Sequence, residues 1–264
     1  MRPNPVKRLL REGKPAVGTW LSLGSITAAR FLARAGWDWL TVDTEHSLVG
    51  IETTTHMLAA IADAGCVPLA RVPSNRHDHV KRILDNGGHG IVVPMVCSRQ
   101  ESLDAVSACL YPPVGTRSVG GSVHALNFGA TPADYYAKVN DELLIVLQCE
   151  HIQAVRNFDE VYSVPGVDAV FVGPNDLAAS MRGADARPPH PDAFKEALRE
   201  ILAGCRRLRV APGIHTFGLE EARMRIDEGW QFVAVGSELR MMLDGANDIL
   251  RLLGKVHQGE MAKY

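Results

Sequence analysis

Apolar residues fall along this chain in short unbroken runs, each closed by Gly, Pro or a polar cluster, and between the runs lie longer stretches with helical periodicity. The runs predict strands at Ala16–Leu21, Trp37–Asp43, Cys66–Val72, Gly90–Val96, Leu143–Glu150, Val167–Val172, Arg209–His215 and Gln231–Val235. Runs without in–out alternation belong to strands covered on both faces, as in a parallel sheet. A first helix, Val6–Glu12, precedes the first strand. Ser25 caps a second that stops at Gly36, Ile51–Ala64 stops at Gly65, and another opens at Ser74 and Asn75 and ends at Gly87 and Gly88. Further helices are predicted at Arg99–Leu110, Pro132–Val139, Ile152–Tyr162, Leu177–Met181, from an Asp192 cap to Arg207, at Glu220–Glu228 and at Leu239–Leu253. Tyr111–Gly129 breaks the rhythm. It is rich in Pro and Gly, and long connections of that kind are functional loops or disordered.

Eight strands alternating with helices predict a single α/β domain over residues 1–264, a (β/α)8 barrel. The alternative is a doubly wound open sheet. That fold usually divides into two lobes, and no linker divides this chain.

In a barrel every strand's carboxyl end opens onto one face, where the chemistry sits. Here those ends carry Trp20; Asp43, Glu45 and His46; Arg71; Pro94; Gln148 and Glu150; Asp176; His215; and Ser237. Ionised groups near a barrel core are costly unless paired or metal-bound, so this set points to a site. Glu150 and Asp176 end adjacent strands and can hold a hard divalent cation, or each can pair with a base such as Arg71. His46 suits a general base with Asp85 as its orienting partner, or it is a rim histidine. Arg71 can hold an oxyanion, or simply pair with the acids. Gly173-Pro174-Asn175-Asp176 is either an anion site made by backbone N–H groups or an ordinary tight turn. Trp20 either stacks on a ligand or, as we favour, fills the mouth. His56, His77, His79, His89 and His124 read as surface or loop residues.

Composition removes several function classes. The formal net charge of -2 and pI near 6.5 leave no basic footprint for nucleic acid. No apolar stretch is long enough for a bilayer, and the first residues lack the apolar core of a signal peptide. The five cysteines have no metal-type spacing and read as small buried hydrophobes in a reducing cytoplasm. Cys149 should face away from Gln148 and Glu150, because side chains alternate along a strand.

Taken together, Val-Asp-Thr-Glu-His (42–46), Pro-Leu-Ala-Arg-Val-Pro (68–73), Leu-Asp-Asn-Gly-Gly (84–88), Val-Val-Pro-Met-Val (92–96), Tyr-Pro-Pro-Val-Gly-Thr-Arg (111–117), Gln-Cys-Glu (148–150), the run 166–177 and Phe-Val-Ala-Val-Gly (232–236) resemble the HpcH/HpaI aldolases. The resemblance covers nearly the whole chain in the right order. It implies a metal-dependent pyruvate aldolase of the 4-hydroxy-2-oxoheptanedioate or 2-keto-3-deoxy-sugar-acid type, serving aromatic or sugar acid catabolism. It implies Glu150 and Asp176 as metal ligands for Mg²⁺, Mn²⁺ or Co²⁺, and Gln148 facing the keto acid. Arg71 would stabilise the enolate, His46 would be the catalytic histidine with Asp85 as its acid, and Asp43 would stand behind the metal's water. It also implies a homo-oligomer, a trimer or hexamer, with the last helix exchanged between barrels.

The chain departs from the family pattern at Ser118 after Arg117, at Cys149, His151 and Ile152 around Glu150, and at His215-Thr216-Phe217. The last puts the acceptor aldehyde in question. The implied reaction is reversible cleavage of a 4-hydroxy-2-keto acid to pyruvate, or hydroxypyruvate, and an aldehyde. No lysine stands at a matching strand end for a Schiff base. The rivals are an oxaloacetate-type decarboxylase or acyl-CoA lyase on the same enolate, and a non-catalytic keto-acid-binding barrel.

Overall fold

The computed structural model describes residues 1–121 and 123–255. Eight strands close a barrel in chain order: β1 Ala16–Leu21, β2 Trp39–Asp43, β3 Val67–Arg71, β4 Gly90–Val93, β5 Leu144–Gln148, β6 Ala169–Val172, β7 Ala211–Thr216 and β8 Phe232–Ser237. Each strand pairs in parallel with the next, and β8 closes onto β1. The helices are α1 Pro5–Arg11, α2 Ile26–Leu32, α3 Ile51–Asp63, α4 His77–Asp85, α5 Arg99–Cys109, α6 Pro132–Glu142, α7 Ile152–Arg156, α8 Phe158–Tyr162, α9 Pro174–Ser180, α10 Pro191–Leu208, α11 Leu219–Glu228 and α12 Glu238–Leu252.

The sequence reading differs from this at several boundaries, each for a local reason. β4 stops at Val93 because Pro94 has no N–H for the ladder and Met95 turns to φ 54°. The single helix expected over Ile152–Tyr162 is two short ones, broken at Asn157, whose φ −109° and ψ 26° leave the helical region. α9 begins at Pro174, a residue suited to the first helical position, rather than at Leu177. α10 is capped by His190, whose Nδ1 accepts from the Asp192 N–H, so Asp192 lies inside the helix. The connection Tyr111–Gly129 holds a 3₁₀ turn, Val123–Phe128.

Two apolar layers hold the fold. The inner one fills the barrel with residues such as Trp39, Leu69, Val92, Val146, Phe171 and Phe232, and Val6 and Leu10 of α1 close its bottom. Trp39 stacks on Phe232 at 4.2 Å between centroids. That packing needs Gly18, where a Cβ would lie 2.2 Å from the Trp39 ring. Lys7 ties α1 to the barrel through Asp168 at 3.0 Å and the Leu143 carbonyl at 2.6 Å. The outer layer joins the sheet to the helices through residues such as Leu40, Ala70, Leu147 and Ile201. Cys149 lies there with Tyr162, on the opposite side of the strand from Gln148, as alternation requires. Burial pushes its thiol up to about 12, so it is no nucleophile.

Two histidines expected as surface or loop residues lie in connections but are buried. His124 lies against Tyr135, and His89, just before β4, is 2 % exposed and packs on the Phe128 ring at 4.3 Å. The cover over His89 comes from the distant 123–128 turn, and that over His124 from α6. Burial holds His89 down to about 3, whereas its ordinary value is 6.5. Between these values the unfolded chain carries one proton more than the folded one. His89 therefore favours the fold fully above pH 6.5 and less at each step below, by up to about 1.4 kcal/mol per pH unit. His89→Leu should flatten the fall in urea-unfolding free energy between pH 6.5 and 4, and an unchanged slope would count against this.

Candidate active site

The carboxyl ends of the strands surround a cavity of about 280 Å³. Asp43 and Arg71, the last residues of β2 and β3, are register partners, which sets their side chains next to each other. Arg71 donates through Nε to Asp43 Oδ1 at 2.9 Å and through a terminal nitrogen to Oδ2 at 2.6 Å. Asp43 has no solvent exposure, and its Oδ1 also accepts from the backbone N–H groups of Glu45 and His46. One carboxylate thus fixes both the guanidinium and the loop that carries His46. Glu45 meets Arg71 at 3.1 Å, and the guanidinium lies 4.7 Å from the centre of the Trp20 ring. Burial raises the Glu45 carboxyl, and the Arg71 charge works against that rise.

Glu150 follows β5 and is 3 % exposed. Its Oε1 accepts from the Met95 N–H at 2.8 Å, and its Oε2 accepts from Gln148 Nε2 at 2.7 Å. The positive φ of Met95 is an uncommon conformation for a non-glycine residue, and strain of this kind gathers at functional sites. Gly173 makes room for the carboxylate: a Cβ there would lie 2.3 Å from Glu150 Oε2. Burial pushes Glu150 up to about 7, the Met95 N–H pulls it back, and the neighbouring charge of Asp176 adds to the rise. Asp176 stands in the first turn of α9, at the end of the adjacent strand β6.

A cation would relieve the buried Glu150 carboxylate, which is raised by burial and by the charge of Asp176. Gln148 Oε1 is buried with no hydrogen-bond partner among the described residues. Hard oxygen donors of this kind fit a divalent cation that completes its shell with water and substrate. Among the described residues no group of three or more His, Cys, Asp or Glu is placed to hold a metal.

The cavity brings together most of the residues singled out in the sequence: Trp20, His46, Arg71, Gln148, Glu150, the 173–176 turn and His215. Asp43 and Glu45 stand behind Arg71. Asp85 is elsewhere. Its Oδ1 accepts from Arg117 at 2.7 and 3.2 Å, and Arg117 is wholly buried between Tyr111 and Tyr135. Among the described residues His46 makes no hydrogen bond to Asp85. The acid beside it is Glu45, whose Oε2 lies 3.8 Å from His46 Nε2. The His46 side chain is 60 % exposed at the rim. Phe171 and Phe217 also line the cavity. Phe171 was missed, yet it stands two residues before Gly173, on the same inward face.

The family model for HpcH/HpaI aldolase/citrate lyase matches residues 16–245. The chain belongs to this family. It is 35% identical over 251 residues to a 4-hydroxy-2-oxo-heptane-1,7-dioate aldolase of Shigella sonnei, covering 95% of each chain. It is 36% identical over 242 residues to a 2-dehydro-3,6-dideoxy-6-sulfogluconate aldolase of Pseudomonas putida, covering 92% of this chain and 94% of that one. A crystal structure of a family member from Burkholderia cenocepacia superposes with a TM-score of 0.87 at 34% identity, covering 96% of this chain and 100% of that one. The chain is accordingly a carbon–carbon lyase of the aldolase type. Among the described residues no helix is long and apolar enough to cross a membrane.

Proposed function

We propose that the chain cleaves a 4-hydroxy-2-keto acid reversibly to pyruvate, or hydroxypyruvate, and an aldehyde, with a divalent cation held by Glu150 and Asp176. The observation that carries this is the pair of carboxylates on adjacent strand ends, in the cavity that Arg71 and His46 also line. The oxygen donors suit Mg²⁺ or Mn²⁺, with Co²⁺ a workable substitute. When bound, the cation supplies Lewis acidity toward the keto oxygen.

The chain's own residues do the rest. The substrate carboxylate lies against the 173–176 turn. Gln148 gives its Nε2 to Glu150 and keeps Oε1 for a donor such as a water or the hydroxyl of hydroxypyruvate. Arg71, fixed by Asp43, Glu45 and the Trp20 face, holds the charge that grows on the keto oxygen. His46 takes the proton of the C4 hydroxyl, and Glu45, whose Oε2 lies 3.8 Å from its Nε2, faces the imidazolium that forms. As the C3–C4 bond breaks, its electron pair passes to C3, the aldehyde departs, and C3 then takes a proton to give pyruvate. Asp85 serves by anchoring Arg117 and the 111–121 loop.

The oligomeric reading has one support here: α12 keeps Met242, Ile249 and Leu252 exposed, a face suited to another copy of the chain.

Release of pyruvate from 4-hydroxy-2-oxopentanoate tests the proposal. The rate should fall to background after treatment with a chelator and return when Mg²⁺ or Mn²⁺ is added. Turnover that survives metal removal would overturn it.

A further inference from the structure

We infer that the acceptor aldehyde of this site is neutral and carries an aromatic or similarly flat apolar group, seated among Trp20, Phe171, His215 and Phe217. This rests on the aldolase reading above. The four rings make a continuous wall: Trp20 lies 5.8 Å from Phe171 and 6.1 Å from His215, and His215 lies 5.4 Å from Phe217, measured between centroids. All four line the cavity. Phe217 remains 46 % exposed at the mouth, where a ligand tail would cover it.

Charge argues the same way. Among the described residues that line the cavity, Arg71 is the one arginine or lysine, and Asp43 and Glu45 already engage it. Burial holds His215 down to about 4, so near neutral pH it offers no cation. A second acid group on the aldehyde would find, among these lining residues, no arginine or lysine that is not already paired with a carboxylate. The names of the two aldolase relatives carry such groups, a 1,7-dioate in one and a sulfonate in the other.

The test is aldol addition by the metal-loaded protein at saturating pyruvate, with three aldehydes. 4-Carboxybenzaldehyde adds a charged carboxylate to the ring of benzaldehyde, and glyceraldehyde removes the ring. In each addition C3 of pyruvate loses a proton and bonds to the aldehyde carbon, whose oxygen takes up a proton. Benzaldehyde should show kcat/KM about tenfold above each of the others. Phe217→Arg should narrow the gap between the two benzaldehydes, and Phe217→Lys serves if the arginine variant does not fold. Exchange of the C3 protons of pyruvate in D2O, without aldehyde, separates the two levels of the argument. Exchange together with equal or better use of 4-carboxybenzaldehyde or glyceraldehyde overturns the inference and leaves the aldolase reading standing. A gap that neither variant narrows overturns the placement of the tail at Phe217. Absence of exchange overturns the aldolase reading, and the inference falls with it.

Discussion

Glu150→Gln should abolish lyase turnover and at the same time make the metal-free chain more stable. The two effects have one origin. Glu150 is buried beside Asp176, and burial pushes its carboxyl up to about 7. In the metal-free fold, ionising it above that pH costs stability that is not lost at pH below the ordinary value of 4.5. The raised value means that the folded chain binds more protons than the unfolded chain between these limits, so stability falls as pH rises through them. Glutamine keeps the shape and carries no charge. Its oxygen can still accept from the Met95 N–H, and the free Oε1 of Gln148 can turn to accept from its amide. At pH 8 the metal-free variant should gain about 2 to 3 kcal/mol over the wild type, read as a higher Tm. If Glu150 and Asp176 hold the cation as proposed, loss of one anionic ligand should lower kcat about a thousandfold, equivalent to about 4 kcal/mol of barrier. A variant that kept both turnover and Mn²⁺ affinity by calorimetry would remove Glu150 from the metal site.

Arg71→Met should cost both activity and stability, and a second substitution should restore only one of them. Arg71 makes a two-pronged pair with Asp43, which has no exposure. Removing the guanidinium leaves a buried carboxylate uncompensated, a loss of about 3 to 5 kcal/mol. Asp43→Asn in the same chain discharges that carboxylate and leaves an oxygen for the Glu45 and His46 N–H groups. The double variant should therefore recover most of the unfolding free energy. It should stay about 10²- to 10³-fold down in kcat, because nothing replaces the donors proposed to face the enolate oxygen. Recovery of activity along with stability would make Arg71 a structural residue only.

Much of this was legible in the sequence because a barrel converts strand ends into neighbours. Asp43, Arg71, Glu150 and Asp176 are far apart along the chain, yet each ends or follows an apolar run, and that alone places them on one rim. Alternation correctly sent Cys149 outward and Gln148 inward. What failed was whatever depended on a specific distant partner. The pairing of Asp85 with Arg117 spans 32 residues and runs through an aperiodic loop, so nothing near either residue announced it. The burial of His89 depends on Phe128, from a turn with no periodic signal. The inward Phe171 carried a usable signal, the step of two to Gly173, but within an apolar run it read as core.

The central claim is that Glu150 and Asp176 hold a divalent cation and that with it the site forms the pyruvate enolate. Exchange of the C3 protons of pyruvate in D2O, followed by proton NMR, reads that event without any aldehyde. Metal-stripped protein should show no exchange above the buffer rate, and full exchange should return with Mg²⁺ or Mn²⁺. Exchange that continues in the stripped protein would contradict that claim.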